Sequence, residues 1–365
     1  MSGGATGQEL AIAQRQGWVL RWLNRILILG VLVALLAWLW AWFFPPMLAS
    51  RSLPVVAGAY VAFMLRTFAL QIGVAVLLTA VVAVLPAIAL KRWRVPAALF
   101  LAGVLWLSGD IWPLVRPLSL PGVSAAEKTL TVYSCNMLYG RSDPAEIARQ
   151  ARAVGPAGAD VIVIQEYTNS TAKAVRAALA DWPHVYEEPR EGPFGQAVFS
   201  RLPFAEKPAP WPSELNVSSG VWTDPQIAFG VKVGSSVVRI VNIHIYPPLP
   251  GMVMDQRQQA VDLSTFVRDH LQAPNASPMI LAGDFNCTPR GHHVQAILNA
   301  GAIDAWATTR RTRGGTWSAL GLKQHLGQIR IDHLLHTQGV RCIDAGIGGK
   351  TGSDHLPTWA TFVVR

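Results

Sequence analysis

The sequence predicts an α/β protein: a mixed α/β sandwich preceded by an all-α transmembrane region of about three helices. Two observations carry this reading. The chain is 51% hydrophobic and only 15% charged, too apolar for an ordinary soluble protein, and the excess is concentrated in uncharged runs before residue 115. Beyond residue 130, apolar runs of strand length alternate with helical patterns.

Ile26 to Phe44 is 19 residues without a charge, Thr67 to Leu90 is 24, and Val95 to Gly109 is 15 before Asp110 intervenes. A bilayer core needs about 20 apolar residues per helix. The first two runs satisfy that length, and the third does so if Asp110 lies near the interface. The spans are therefore expected at about 26–44, 67–90 and 95–113, within a membrane region of 26–115. A cleaved leader does not fit the first run, because the nearest small-residue site, Ala57-Gly58-Ala59, lies well past Phe44. The run from Leu53 to Leu65 is too short to cross alone and is read as extending the second span or lying in the interface.

Arg15, Arg21 and Arg25 precede the first span, and Lys91, Arg92 and Arg94 separate the second from the third. Positive loops stay cytoplasmic, so residues 1–25 are expected inside and everything after about Val115 outside. Pro113, Pro117, Pro121 and Gly122 break any helix and mark a linker over 116–129. The remaining domain is 130–365. Its predicted strands are Leu130 to Ser134, Val161 to Gln165, Gln196 to Ser200, Ala228 to Val233, Val237 to Ile245, Pro278 to Ala282, Arg330 to His336 and Thr358 to Val364. Several are apolar on both faces and need cover on both sides. Helices are predicted over Pro144 to Val154, Ser170 to Ala180 and Met254 to Leu271, the first announced by Ser142-Asp143-Pro144-Ala145-Glu146.

The net charge of +9 does not argue for a nucleic-acid partner. Residues 1–128 hold 10 of the 31 Lys/Arg and 3 of the 22 Asp/Glu, leaving the rest of the chain a net of only +2. A domain that neutral lacks the basic footprint of a backbone-tracking protein. Three cysteines cannot all pair, and they are read as reduced and buried.

Polar residues at the ends of apolar strands carry the chemistry. Asn136 ends the first, Glu166 follows the second, and His244 lies on Val241-Asn242-Ile243-His244. Asp284 and Asn286 follow Leu281-Ala282-Gly283, and Asp332 and Asp354-His355 close the set. Asp284 and Asn286, two apart, are expected on one face of a strand, a geometry suited to a hard metal and a phosphate. Metal-assisted phosphoester hydrolysis is the indicated chemistry.

From Leu130 to Arg365 the chain resembles the endonuclease/exonuclease/phosphatase (DNase I-like) superfamily. The matching blocks are Ser134-Cys135-Asn136, Ile164-Gln165-Glu166, Gly195 to Pro203, Asn242-Ile243-His244, Gly283-Asp284-Phe285-Asn286, Arg330-Ile331-Asp332-His333 and Ser353-Asp354-His355. The resemblance implies a four-layer sandwich of two mixed β-sheets flanked by helices. It implies Mg²⁺, or Mn²⁺, held by Glu166 with Asn136 and Asp354 at hand. Asp284 would orient or deprotonate the attacking water, Asn286 and His244 would donate to phosphate oxygens, and His355 would pair with Asp332. The abasic-site nucleases of the superfamily have Asp where this chain has Leu138, which speaks against that subgroup and a second metal site.

Three spans joined to such a domain are similar to a membrane-anchored subgroup of the teicoplanin and vancomycin resistance protein J type. That resemblance implies a bacterial plasma-membrane enzyme with its domain outside and a phosphorylated lipid, such as an undecaprenyl carrier, as substrate. A nuclease, a sphingomyelinase-like phospholipid hydrolase and a non-catalytic binding scaffold are the alternatives. The loops around 211–224 and 310–328 are expected to select among substrates.

Overall fold

The computed structural model describes residues 7–43, 52–115, 127–211, 226–249, 251–318 and 328–364. The linker expected at 116–129 lies almost wholly outside these residues, as do most of the two loops expected to select substrate. The chain divides into two units, 1–45 with 61–112 and 46–60 with 113–365.

The N-terminal region is helical, with the unit boundaries falling inside α2 and near the end of α5: α1 (Gly7–Phe43), α2 (Leu53–Thr67), α3 (Ala69–Val82), α4 (Val84–Leu90) and α5 (Arg94–Val115). Three stretches are long and apolar enough to cross a membrane: Gln14–Phe43, Ala69–Leu90 and Arg94–Val115. The backbone ladder runs on from α2 into α3, since Phe68 N–H donates to Met64 and Ile72 N–H to Phe68, each at 3.0 Å. Exposed tryptophans bracket the apolar faces. Trp22 and Trp40 stand 18 residues apart on α1, about 27 Å at 1.5 Å per residue, and Trp93 and Trp112 bracket α5 over a similar rise. That spacing matches the hydrocarbon thickness of a bilayer, roughly 30 Å. Asp110 sits two residues from Trp112, toward the C-terminal end of α5 rather than its middle. Arg66 is buried with its Nε on the Ala41 carbonyl at 2.8 Å and its guanidinium 4.8 Å from the Trp42 ring. It satisfies the last turn of α1, where a cation is favoured. Trp106 is fully buried and Trp211 is buried against Phe266, whereas Trp112 is exposed.

The second unit contains two mixed six-stranded sheets flanked by helices, the expected fold class. The first sheet consists of β1 (Lys128–Asn136), β2 (Val161–Gln165), β3 (His184–Glu188), β4 (Gln196–Ser200), β13 (Val340–Ile347) and β14 (Thr358–Val364), in the order β13-β14-β1-β2-β4-β3. The second consists of β5 (Phe204–Trp211), β6 (Gln226–Val233), β7 (Ser236–His244), β8 (Met279–Asp284), β9 (Ile303–Asp304) and β12 (Asp332–His336), in the order β5-β6-β7-β8-β12-β9. A short ribbon pairs β10 (Trp317–Ser318) with β11 (Gln328–Ile329). Each sheet has one parallel pair at its centre, β1 with β2 and β7 with β8, and antiparallel neighbours outside it.

Period-two alternation places the layers. Leu130 and Val132 of β1 face the core between the sheets with Val163, Phe229, Ile240, Ile280 and Phe362. Tyr133 and Cys135 face outward beneath Ile147 and Ala151 of α6 (Pro144–Ala153) and Val175 of α7 (Asn169–Ala178). The expected start of α6 is observed, with the Asp143 side chain accepting from Ala145 N–H at 2.9 Å. Helices α8 (Val253–Gln272), α9 (His292–Asn299) and α10 (Ala305–Thr309) complete the order. The strands the sequence did not announce are all sheet edges or the ribbon: β3, β5, β9, β10, β11 and β13. Edge strands are covered on fewer sides, and β5 carries Pro208 and Pro210, which only an edge tolerates.

All three cysteines are free and buried. Arg310 is tied to Asp344 at 2.6 Å and to the Ala345 carbonyl. Ser200 and Arg201 shape a turn, with Ser200 Oγ on Leu202 and Arg201 on the Ala157 carbonyl.

Gly283 lets β8 lie close to β7: with φ at +149°, a Cβ there would stand 1.9 Å from the Ile243 carbonyl oxygen. Gly283→Ala is expected to destabilise the domain by about 2–3 kcal/mol or more, because backbone must move. Gly192→Ala, which meets nothing within 4 Å, is the neutral comparison, both read by denaturant unfolding through tryptophan fluorescence.

Candidate active site

The four parallel strands all point their carboxyl ends at one edge of the sandwich, where open α/β sheets bind ligands. Asn136 ends β1, Glu166 follows β2, His244 ends β7 and Asp284 ends β8. The antiparallel neighbours start at that same edge: Asp332 opens β12 opposite Asp284, and His355 lies three residues before β14. The parallel topology therefore gathers the strand-end polar residues.

Contacts join them. Asn136 Nδ2 donates to Glu166 Oε1 at 3.0 Å and to Asp284 Oδ2 at 3.1 Å, crossing from one sheet to the other. Its Oδ1 accepts from Leu138 N–H at 2.9 Å. His244 Nε2 stands 3.7 Å from Asp284 Oδ2 and 3.9 Å from Glu166 Oε1. His355 lies between two carboxylates, with Nδ1 at 3.0 Å from Asp332 and Nε2 at 3.7 Å from Asp284. Asp354 is exposed at the rim, where its Oδ2 accepts from Trp317 Nε1 at 2.9 Å.

Asn286 reaches the site by a different route from the expected one. It lies past the end of β8 with φ at +47°, so strand alternation does not align it with Asp284. A local turn does: Asp284 Oδ1 accepts from Asn286 N–H at 2.8 Å, and Asn286 Nδ2 donates to the Ile245 carbonyl at 2.9 Å. Leu138, Tyr139, Glu166 and Asn286 are four of the six non-glycine residues at positive φ among the described residues. Each left-handed residue costs about 1–2 kcal/mol. Bonds to site side chains hold the strained turn: Leu138 N–H on Asn136, and Tyr139 N–H on Glu166 Oε2 at 2.9 Å.

The electrostatics follow from burial. Asp284 is fully buried, which pushes its carboxyl up to about 6; the His355 charge opposes that rise and Asp332 adds to it. Burial also raises Glu166, against the Asn136 and Tyr139 hydrogen bonds. It lowers His244, with Asp284 opposing. Burial disfavours the charge on His355 too, yet Asp332 and Asp284 carry it up to about 10. His355 is thus held between two carboxylates that favour its charged form.

The donor set suits a divalent cation. Glu166 and Asp284 meet at the Asn136 amide, Asp284 and Asp332 flank His355, and Asp354 stands at the rim; hard oxygen donors of this kind suit Mg²⁺ or Mn²⁺. Donor atoms of Asp284, Asp332 and His355 lie within 4.8 Å of one another. Within that triad Asp332 already engages His355 Nδ1 at 3.0 Å, so Nε2 is the ring nitrogen that faces Asp284.

Gln226 was missed in the sequence. It is buried and satisfies the backbone of His244 at both ends, accepting from its N–H and donating to its carbonyl at 3.2 Å. Gln196 Nε2 in turn donates to Gln226 Oε1 at 3.1 Å, and Gln165 donates to Asn242 Oδ1 at 2.6 Å, so amides stitch the two sheets beneath the site. An apolar-to-polar switch at a strand's first residue is the sole local signal for Gln226. His333 is a core residue: its Nδ1 accepts from Arg330 at 2.8 Å and its Nε2 meets the Cys287 carbonyl at 2.8 Å.

The model of the Endonuclease/Exonuclease/phosphatase family matches residues 133–355. No curated protein matches the chain. Three solved structures are similar in fold. An endonuclease/exonuclease/phosphatase from Beutenbergia cavernae has a TM-score of 0.50 at 20% identity over 65% of this chain and 72% of its own. D. rerio TDP2 in complex with single-strand DNA product has a TM-score of 0.50 at 17% identity over 64% and 98%. An AP endonuclease from Archaeoglobus fulgidus has a TM-score of 0.50 at 19% identity over 63% and 98%.

Gln226→Leu strands the buried N–H and carbonyl of His244. A loss of about 1–3 kcal/mol is expected in thermal or denaturant unfolding, with Gln226→Glu restoring the acceptor half of the pairing.

Proposed function

The chain belongs to the Endonuclease/Exonuclease/phosphatase family, whose members are phosphoester hydrolases acting with a divalent metal, and on that premise we propose a Mg²⁺-dependent hydrolase of a phosphorylated membrane lipid. The observation that carries the lipid reading is the presence, in the same chain, of three helices long and apolar enough to cross a bilayer. Tethering raises the effective concentration of a site toward lipid headgroups and does nothing for free nucleic acid. The cations before the first span and between the second and third support a cytoplasmic N-terminus and a domain on the outer face of a bacterial plasma membrane. An undecaprenyl phosphate or pyrophosphate is the substrate of choice.

Glu166 and Asp354 hold the cation in this reading. Asn136 contributes by fixing Glu166 and Asp284 through its Nδ2, since its own oxygen is taken by Leu138. A cation held there would supply Lewis-acid polarisation of a phosphoryl oxygen and offset charge in the transition state. Asp284 orients water and takes its proton; a carboxylate lifted toward neutrality is a competent base near pH 7. His244 and Asn286 donate to phosphoryl oxygens. Asp332 fixes the His355 ring so that Nε2–H faces the reacting centre.

A second reading, a nuclease, is favoured by the single-strand DNA product held by the similarly folded D. rerio TDP2. The net charge of +2 over residues 129–365 weighs against it.

Full-length protein in detergent should release phosphate from undecaprenyl pyrophosphate and leave plasmid DNA intact, with Glu166→Ala losing at least roughly 100-fold in rate. Glu166-dependent nicking of the plasmid without lipid turnover would sink the lipid reading. Because Asp284 must be charged to act and its carboxyl is raised to about 6, kcat/KM should fall about tenfold per pH unit below that value. Raising the Mg²⁺ concentration should move this acid limb to lower pH, since cation and proton compete.

A further inference from the structure

Thr316 and Trp317 lie between the two segments that supply Asp332 and Asp354-His355. Fully buried Thr316 takes the Ile331 and Asp332 N–H groups on its Oγ1, at 3.1 and 3.2 Å. Its own N–H donates to the Ile329 carbonyl at 2.9 Å, and its carbonyl accepts from Leu356 N–H at 2.7 Å. Trp317 pairs with Ile329 on one side and with His355 on the other. Its backbone is therefore fixed from both flanks. The indole N–H then reaches Asp354 Oδ2 at 2.9 Å.

Asp354 needs such an anchor. It is exposed, and it is near enough to Glu166 that its charge raises that carboxyl. An unanchored carboxylate beside a like charge swings toward water, whereas one held by an indole donor on a braced backbone stays aimed at the mouth.

We propose that Trp317 is a positioning residue that presets Asp354 for the divalent cation, through a single indole N–H bond on a backbone clamped between β11 and the His355 segment. The proposal rests on the reading of Glu166 and Asp354 as the cation's carboxylates. Trp317 tunes cation affinity and leaves substrate binding alone.

Trp317→Phe keeps an aromatic ring and the backbone pairing but deletes the donor. Mn²⁺ and Mg²⁺ binding to the full-length protein in detergent, without substrate, is read by calorimetry and by Mn²⁺ electron paramagnetic resonance. Cation affinity should weaken about 10–100-fold, the usual cost of losing an outer hydrogen bond to a ligand. At saturating cation, kcat and KM for the lipid phosphate should return to the wild-type values. Trp317→His, which restores a ring N–H, should recover part of the affinity, and Trp317→Phe should add nothing once Asp354→Asn is present. Cation affinity within twofold of wild type in Trp317→Phe overturns the proposal, and so does a rise in KM that saturating cation does not cure. If Trp317→Phe does not fold, Trp317→Leu deletes the same indole donor, and cation affinity there within twofold of wild type overturns the proposal equally. Wild-type protein that binds no divalent cation defeats the metal reading itself, an outcome distinct from a wild type that binds and a variant that binds as well.

Discussion

The amide of Asn136 is the joint on which the site depends. One neutral donor touches a carboxylate from each sheet, Glu166 after β2 and Asp284 at the end of β8, at 3.0 and 3.1 Å. Two buried carboxylates so close repel unless a donor or a cation lies between them. For Nδ2 to reach both, the sheets must sit in one register, because a slip of one residue turns every side chain to the opposite face. Gln165 with Asn242 and Gln196 with Gln226 repeat the device one layer deeper. Buried amides of this kind are costly unless satisfied, so they specify the alignment as well as stabilise it.

The same crowding sets the chemistry. Asp332 and Asp284 keep His355 protonated in spite of its burial, while His244, facing a different balance, is driven toward neutrality. Two imidazoles within a few ångströms of Asp284 are thus pushed in opposite directions, His355 toward its charged form and His244 toward its neutral one. Burial raises the carboxyls of both Asp284 and Glu166. The strained backbone at Leu138, Tyr139 and Glu166 belongs to this economy, because its N–H groups are spent on the site's own side chains.

The helical unit shows the complementary case, in which polar groups are scarce and placed at the ends. Arg66 closes the last turn of α1, Asp110 lies beside Trp112, and exposed tryptophans stand at both limits of the apolar faces. Each location is where a charged or amphipathic side chain costs least in a bilayer.

The sequence alone determined the central strands, the three apolar spans and the identity of the strand-end polar residues. Strands buried on both faces must be continuously apolar, and the switch to Asn, Glu, His or Asp at their ends is visible without neighbours. Edge strands such as β3 and β13 carry mixed faces and left no such mark. Only the tertiary structure decided which atoms meet: that Asn136 offers its nitrogen inward, that Asn286 returns through a turn, and that Gln226 and Trp317 brace the backbone and carboxylate beside them. Those partners lie 18 to 148 residues apart in the pairs His244–Gln226, Asp354–Trp317 and Asp284–Asn136. Local pattern records how a residue is buried, but a hydrogen bond between distant segments exists only once the sheets have packed.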